Sequence, residues 1–351
     1  MRTAGDLVGG ARPVQPMRSA LARHAFLIGL GITVVAAIAA PDVGRRLRQE
    51  DRLLPVLVAT TLFILGMTLD LSRARREGVA LRGLAAGLAA TYVVAPLAGY
   101  VLARLLGPAL GGPSSDGHRF LEAVMLAASQ AGTLASAPAL TAIAGGDQAL
   151  ALALTLSSNV LTVIVTPLLL ELSLGVLVAF PAAEMTWRMS AIILAPVVLG
   201  QALRLAAGER IRVVMPLLRH LPPLSILVFV FIGFSAAGDR LTAEPGLALR
   251  FLIVSALLHA TLLAFTLGAS RWLQLSPEET AAVAFCGSQK TLPNGIYLWD
   301  RFFPANPHGA VPLVQYHLLQ LVLDSLIAPR FGTRRRSVRG AEVDDLASGG
   351  A

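Results

Sequence analysis

Long apolar runs, separated by short stretches that carry most of the charge, leave this chain few folds to choose from. A helix of about 20 apolar residues crosses the ~30 Å hydrocarbon core of a bilayer at about 1.5 Å per residue. Such a helix satisfies its own backbone polar groups, as hydrocarbon requires. About ten such runs can be drawn, at 24–40, 53–70, 83–107, 120–144, 147–170, 189–206, 221–238, 247–273, 278–300 and 309–330. Several are near the short limit for crossing, which suits a thin or compactly packed bundle. Only 14% of residues are charged and 55% are hydrophobic, against about a quarter charged in soluble domains. The fold class expected is an all-α polytopic membrane protein. It has a basic cytoplasmic tail at 1–23, a membrane domain at 24–330 and a second cytoplasmic tail at 331–351.

The net charge of +8 does not point to nucleic acid, because no stripe of aromatic and basic residues accompanies it. Arginine held on the cytoplasmic side explains it better. With both termini inside, that side holds Arg2, Arg12, Arg18 and Arg23, Arg73–Arg76, Arg82, the Arg204–Arg219 loop, Arg271 and the last tail. The opposite side holds Arg119, Arg188, Arg240, Arg250 and Arg301. One loop dissents: PDVGRRLRQEDR, 41–52, puts four arginines outside. Residues 208–220 read equally as a short amphipathic interfacial piece or a polar loop. The start of the chain does not read as a cleavable signal. Cys286 is the single cysteine, which excludes an intrachain disulfide and a multi-cysteine metal site. No phosphate-binding loop, HExxH or nucleophile elbow appears, so an ATP-driven pump or a hydrolase is disfavoured and no cofactor or metal is expected.

FCGSQKTLPNGI, 285–296, is not an ordinary membrane span. It gathers Ser288, Gln289, Lys290, Thr291 and Asn294 beside the breakers Gly287, Pro293 and Gly295. Polar groups at bilayer depth must be satisfied by protein or a wet cavity. Breakers next to them suggest an interrupted helix. Of the 29 lysines and arginines, Lys290 is the only lysine. The fourth run carries an echo. LAASQAGTLASAPAL, 126–140, and AFCGSQKTLPNGIYL, 284–298, both read Ser-Gln, then Thr-Leu, then Pro. Both lie in the fourth span of a group of five. The layout is that of two inverted five-helix repeats with broken, crossing helices 4 and 9, although the echo is short enough for chance to compete.

On these residues the chain resembles the bile acid–sodium symporter superfamily, and most closely its SBF-like branch with an SQKTL signature. Supporting stretches are LFILGMTLDLS (62–72), TYVVAPLAGYVL (91–102), the connection from Ala139 to Leu172 with its Gly146-Asp147 turn, and ILAPVVLGQALR (193–204). The resemblance implies a panel of spans 1, 2, 6 and 7 and a core of spans 3–5 and 8–10. Substrate would bind beside the crossover, and core would move against panel. The implied substrate and ion site comprises Lys290, Gln289, Ser288, Thr291, Asn294, Ser129, Gln130, Thr133, Thr155 and Thr91.

Departures matter here. Where sodium-coupled members keep a Ser-Asn pair, this chain has Ala137 and Pro138. Their ninth-span Glu falls on Phe285 and their Asn on Lys290, and their third-span Gln falls on Thr91. An ammonium there would repel Na⁺. The sequence therefore favours H⁺ over Na⁺ as the coupling ion. Lys290 would hold the crossover together with its charge facing carbonyls and the Gln130 and Gln289 amide oxygens. It is read as a proton carrier, a permanently charged structural lysine, or a lysine reaching an interface. Asp324, His259 and His317 form a possible proton relay. Asp70 reads as a helix-end charge and Glu122 as interfacial. The function expected is secondary transport of a small organic anion in the cell membrane, with both termini cytoplasmic. The alternative is a regulator of calcium homeostasis that transports weakly or not at all, as the branch's eukaryotic relatives imply.

Overall fold

The computed structural model describes residues 16–68, 79–109, 115–175, 181–218 and 220–348. Asp70 and Arg73–Arg76 lie outside the described residues. Every regular element described is helical. In order these are α1 (Pro16–Ala39), α2 (Pro41–Gln49), α3 (Leu53–Thr68), α4 (Leu81–Leu106), α5 (Asp116–Ala128), α6 (Ser136–Ile143) and α7 (Gln148–Leu174). There follow α8 (Ala182–Ala207), α9 (Ile211–Leu218), α10 (Leu221–Ala243), α11 (Pro245–Trp272), α12 (Pro277–Ser288), α13 (Leu292–Phe302) and α14 (Ala310–Ser348).

Among the described residues, six helical stretches are long and apolar enough to cross a membrane: α4, α7, α8, Pro216–Gly238, α11 and Ala310–Phe331. A seventh is counted if Ile28–Ala39 and α2, bent by 90°, form one span. The other expected spans take different forms. The second is the short apolar helix α3. The fourth and ninth are each divided, α5 from α6 and α12 from α13.

The radial distribution of side chains is that of a membrane bundle. Along α7 the apolar residues Val160, Ile164, Leu168 and Leu172 recur every four positions and are exposed. Its polar residues Thr155, Ser158, Asn159, Thr162 and Thr166 are all buried. An outward apolar stripe also runs along α4 at Leu97, Val101 and Leu105. A helix in water would place these two faces the other way round.

Two helices carry a π turn, at Ala90–Val94 in α4 and Ser190–Leu194 in α8. Each stands just before an Ala-Pro pair, Ala95-Pro96 and Ala195-Pro196. Proline has no N–H for the carbonyl four residues earlier, and a wider turn absorbs the mismatch.

Three boundaries differ from the sequence reading by more than five residues, the first being α1, which begins at Pro16 rather than 24. α8 begins at Ala182 rather than 189, because a Glu184–Arg188 pair at 2.7 Å supports an extra turn. α14 runs on to Ser348 instead of ending at 330. The residues after 330 include four arginines, which favour helix once the membrane no longer sets its length. Within 208–220 the chain forms the two-turn helix α9.

Candidate functional site

The breaks in the fourth and ninth spans lie against each other. α5 ends at Ala128 and α6 starts at Ser136, with 129–135 unwound between them. α12 starts from a capping box of Ser276 with Glu279 and stops at Ser288. α13 resumes at Leu292, with Pro293 in its first turn. Proline there needs no intrahelical partner, so it permits a start that would be a break elsewhere. The Thr291 N–H donates to the Ala131 carbonyl at 2.9 Å, joining the two unwound stretches. Gly132 allows this approach, since a Cβ there would sit 2.9 Å from the Cys286 carbonyl oxygen.

Several freed backbone groups meet specific partners. Gln320 on α14 clasps the peptide of Lys290: its Oε1 accepts from the Lys290 N–H at 2.7 Å and its Nε2 donates to the Lys290 carbonyl at 2.8 Å. Tyr316 donates to the Ser288 carbonyl at 2.7 Å. Thr166 donates to the Ser129 carbonyl at 2.6 Å, and Asn159 to the Gly132 carbonyl at 3.0 Å. Unwound backbone is tolerated at membrane depth only under such conditions.

Lys290 is almost wholly buried, and its Nζ donates to the Thr91 carbonyl at 2.8 Å and the Gln130 carbonyl at 3.0 Å. Thr91 lies in the π turn of α4, where the helical ladder is widened. The ammonium thus ties α4 to both breaks. The expectation that it would face the Gln130 and Gln289 amide oxygens is corrected. Gln130 turns its amide group back to donate to the Leu126 carbonyl at 2.8 Å. Gln289 Oε1 accepts from Thr133 and Ser136, each at 2.7 Å. Nor does Lys290 snorkel, since its Nζ ends on carbonyls inside the protein.

Gln289 is the hinge between the two breaks and a second charge. Its Nε2 donates to Asp324 Oδ2 at 2.7 Å, while Asp324 Oδ1 lies 3.0 Å from His259 Nε2. His259 Nδ1 lies 3.4 Å from the Tyr316 hydroxyl. Gln289, Asp324 and His259 have no exposed surface. Lys290 and Asp324 therefore flank the ninth-span break, linked through neighbouring residues 289 and 290.

The other residues divide. Thr155 bonds back to the Ala151 and Leu152 carbonyls of its own helix, and the Thr91 hydroxyl to the Gly87 carbonyl. His317 Nδ1 meets Gln320 Nε2 at 2.9 Å, and the ring also lies against the Lys290 backbone, so it supports the Gln320 clasp. Glu122 accepts from Asn306 at 2.8 Å. Several buried atoms have no hydrogen-bond partner among the described residues: Ser129 Oγ, Ser288 Oγ, Gln130 Oε1, His317 Nε2 and both side-chain polar atoms of Asn294. Buried polar groups are normally paired.

The sequence reading missed Ser136, Asn159, Thr166, Tyr316 and Gln320. One signal for the last two was present. Tyr316, Gln320 and Asp324 recur every four residues, which places them on one helical face.

An all-helical bundle with a polar interior, an apolar exterior and two abutting helix breaks around buried charges defines a multi-pass membrane transporter. The chain belongs to the SBF-like CPA transporter family, whose profile matches residues 24–333. It is 32% identical to the uncharacterized protein PA2026 of Pseudomonas aeruginosa, over 72% of this chain and 76% of that one. It is 26% identical to sodium/bile acid cotransporter 7 of Mus musculus, over 87% of this chain and 91% of that one. The Xenopus laevis sodium/bile acid cotransporter 7-B is 24% identical, over 88% and 92% respectively.

Proposed function

We propose that this protein is a secondary active transporter of a small organic anion. It works by alternating access and couples to H⁺ rather than Na⁺. The observation that carries the reading is the Lys290 ammonium seated on the Thr91 and Gln130 carbonyls between two unwound stretches. Backbone carbonyls around a break are where a transporter of this kind coordinates a mobile cation. Here a tethered cation occupies them. At the position where the resemblance puts a sodium-binding carboxylate stands Phe285, buried with Leu140, Ala144, Ala281 and Ala328 and edge-on to Phe331. A hard cation finds no carboxylate oxygen at that position.

The remaining carboxylate at the breaks is Asp324. Its contacts with Gln289 and His259 suit a group that takes up and releases a proton as the breaks rearrange. Ten membrane crossings in two inverted repeats, with a panel of spans 1, 2, 6 and 7 moving against a core of spans 3–5 and 8–10, complete the reading. The cell membrane, with both termini cytoplasmic, is the location that fits the arginine distribution. The bile acid and metabolite cotransporters among the relatives support an organic anion as cargo.

The test is flux into proteoliposomes for a panel of organic acids, under a pH or a sodium gradient, in wild type, Lys290→Ala and Lys290→Gln. Uptake that follows the pH gradient without sodium supports the reading. Uptake that needs sodium in the wild type overturns the coupling. Absence of any flux, with calcium entry altered on deletion of the gene, favours the regulator.

A further inference from the structure

The arginine-rich segment 41–52 stands against the positive-inside count, and topology alone gives no reason for it. Two of its four arginines, Arg45 and Arg48, line a cavity. Behind α2 opens a space of about 790 Å³, bounded by α2, the start of α3, α8 and the end of α13. Arg45, Arg48, Arg188 and Arg301 face it, against the carboxylates of Asp51 and Asp300. Arg45 and Arg188 each hold a carboxylate outside the lining at 2.7 Å, Asp42 and Glu184, whose side chains are 78% and 51% exposed. Pairs this exposed are screened by water and exchange readily.

The Arg48 pair is different. Its guanidinium bonds Asp300 at 2.7 Å and lies 3.9 Å over the Trp299 ring, and both charged side chains are about a third exposed or less. This contact crosses 252 residues of sequence and fastens α2 to α13. α2 in turn is seated on α10, where a Cβ on Gly44 would come 2.2 Å from Ser235. In the panel-and-core division, α2 and α10 belong with the panel and α13 with the core. The same α13 begins two residues after Lys290 and reaches Asp300 after roughly 12–14 Å of helix. One end of that helix is therefore at the buried charges and the other at the arginines.

We propose that this vestibule recognises the acidic group of the transported anion, a carboxylate, phosphate or sulfate. The incoming oxyanion competes with Asp300 for Arg48 and so releases the latch between α2 and α13. Guanidinium forks match such oxyanions in a planar, two-bond geometry that an ammonium does not offer. The other wall guanidiniums, above all Arg301, complete the field for the ligand. The inference deepens the transport reading and rests on it.

Trp299 supplies the readout. The chain has three tryptophans, and Trp187 and Trp272 are 74% and 83% exposed. In a Trp187→Phe, Trp272→Phe background the remaining emission comes from the ring under Arg48. Purified protein in detergent is titrated with inorganic phosphate, sulfate, succinate and citrate at fixed pH and ionic strength. At least one produces a saturable change. Its apparent Kd rises about fivefold or more in Arg301→Gln and falls severalfold in Asp300→Asn, which removes the internal competitor. Phosphate or sulfate alone acting identifies an inorganic or ester oxyanion; succinate or citrate acting identifies a carboxylate.

Both variants change exposed or half-exposed side chains, and size-exclusion and melting profiles verify that they are folded. The proposal is overturned if no probe gives a saturable change. It is equally overturned if the change is unaltered in both variants, or is reproduced by chloride at equal ionic strength. The titration needs no flux. Its failure with flux intact refutes the vestibule alone, whereas loss of flux with the titration intact counts against the transport reading.

Discussion

Replacing Lys290 by methionine removes the ammonium while nearly keeping the volume and shape of the side chain, so no large cavity complicates the result. Two hydrogen bonds from a charged donor are lost, at 2.8 Å to the Thr91 carbonyl and 3.0 Å to the Gln130 carbonyl. Such bonds contribute about 1.5–3 kcal/mol each, and each buried carbonyl left unpaired costs about 1–3 kcal/mol. Against these stands relief from burying an ammonium, worth several kcal/mol. The net expected is a loss of roughly 2–4 kcal/mol, or a fall in Tm of about 5–10 °C. Lys290→Gln, which keeps an amide donor, should fall about half as far. Cys286, the sole cysteine, is buried and reports unfolding through a thiol-reactive fluorophore. A Tm that is unchanged or raised in Lys290→Met would refute the argument, because it would mean that the ammonium is not holding the breaks together.

Other perturbations should act as follows. Gly132→Ala places a Cβ 2.9 Å from the Cys286 carbonyl, so the breaks must separate; a loss of flux of at least tenfold is expected, with protein still inserted and monodisperse. Asp324→Asn keeps the shape and most contacts to Gln289 and His259 but removes the carboxyl group proposed to carry the proton. Its uptake should become independent of the pH gradient while counterflow exchange persists. Asn306→Ala breaks the bonds from Nδ2 to the Arg119 carbonyl and Glu122, each 2.8 Å, and should cost about 2 kcal/mol in thermal melts with no change in ion coupling.

The breaks were legible because helix breakers and polar residues coincide there: Gly287 and Pro293 in one segment, Gly132 and Pro138 in the other. A membrane span has no other use for that mixture. Hydropathy also found every long helix, since burial in lipid needs little more than length and apolar character. What remained hidden depends on backbone atoms. The partners of Lys290 are carbonyls, which every residue carries, so no side-chain pattern announces them. Thr91 serves through its carbonyl in a π turn, while its hydroxyl returns to its own helix. Asn159 and Thr166 look like ordinary polar residues on α7 until the first break is laid beside them. Long-range packing decided His259 as well: its contact with Asp324 crosses 65 residues, whereas His317 faces Gln320 on its own helix. The dissenting arginines of 41–52 became intelligible only when Arg188 and Asp300 were found across the same cavity.

The central claim is that a tethered ammonium replaces a bound sodium ion and that Asp324 moves the proton. It is tested most directly by a pH-sensitive dye trapped inside proteoliposomes while organic anions are added outside in sodium-free buffer. The account predicts lumenal acidification that accompanies uptake of at least one anion and disappears in Asp324→Asn. Uptake that requires sodium and leaves the lumenal pH unchanged would contradict it.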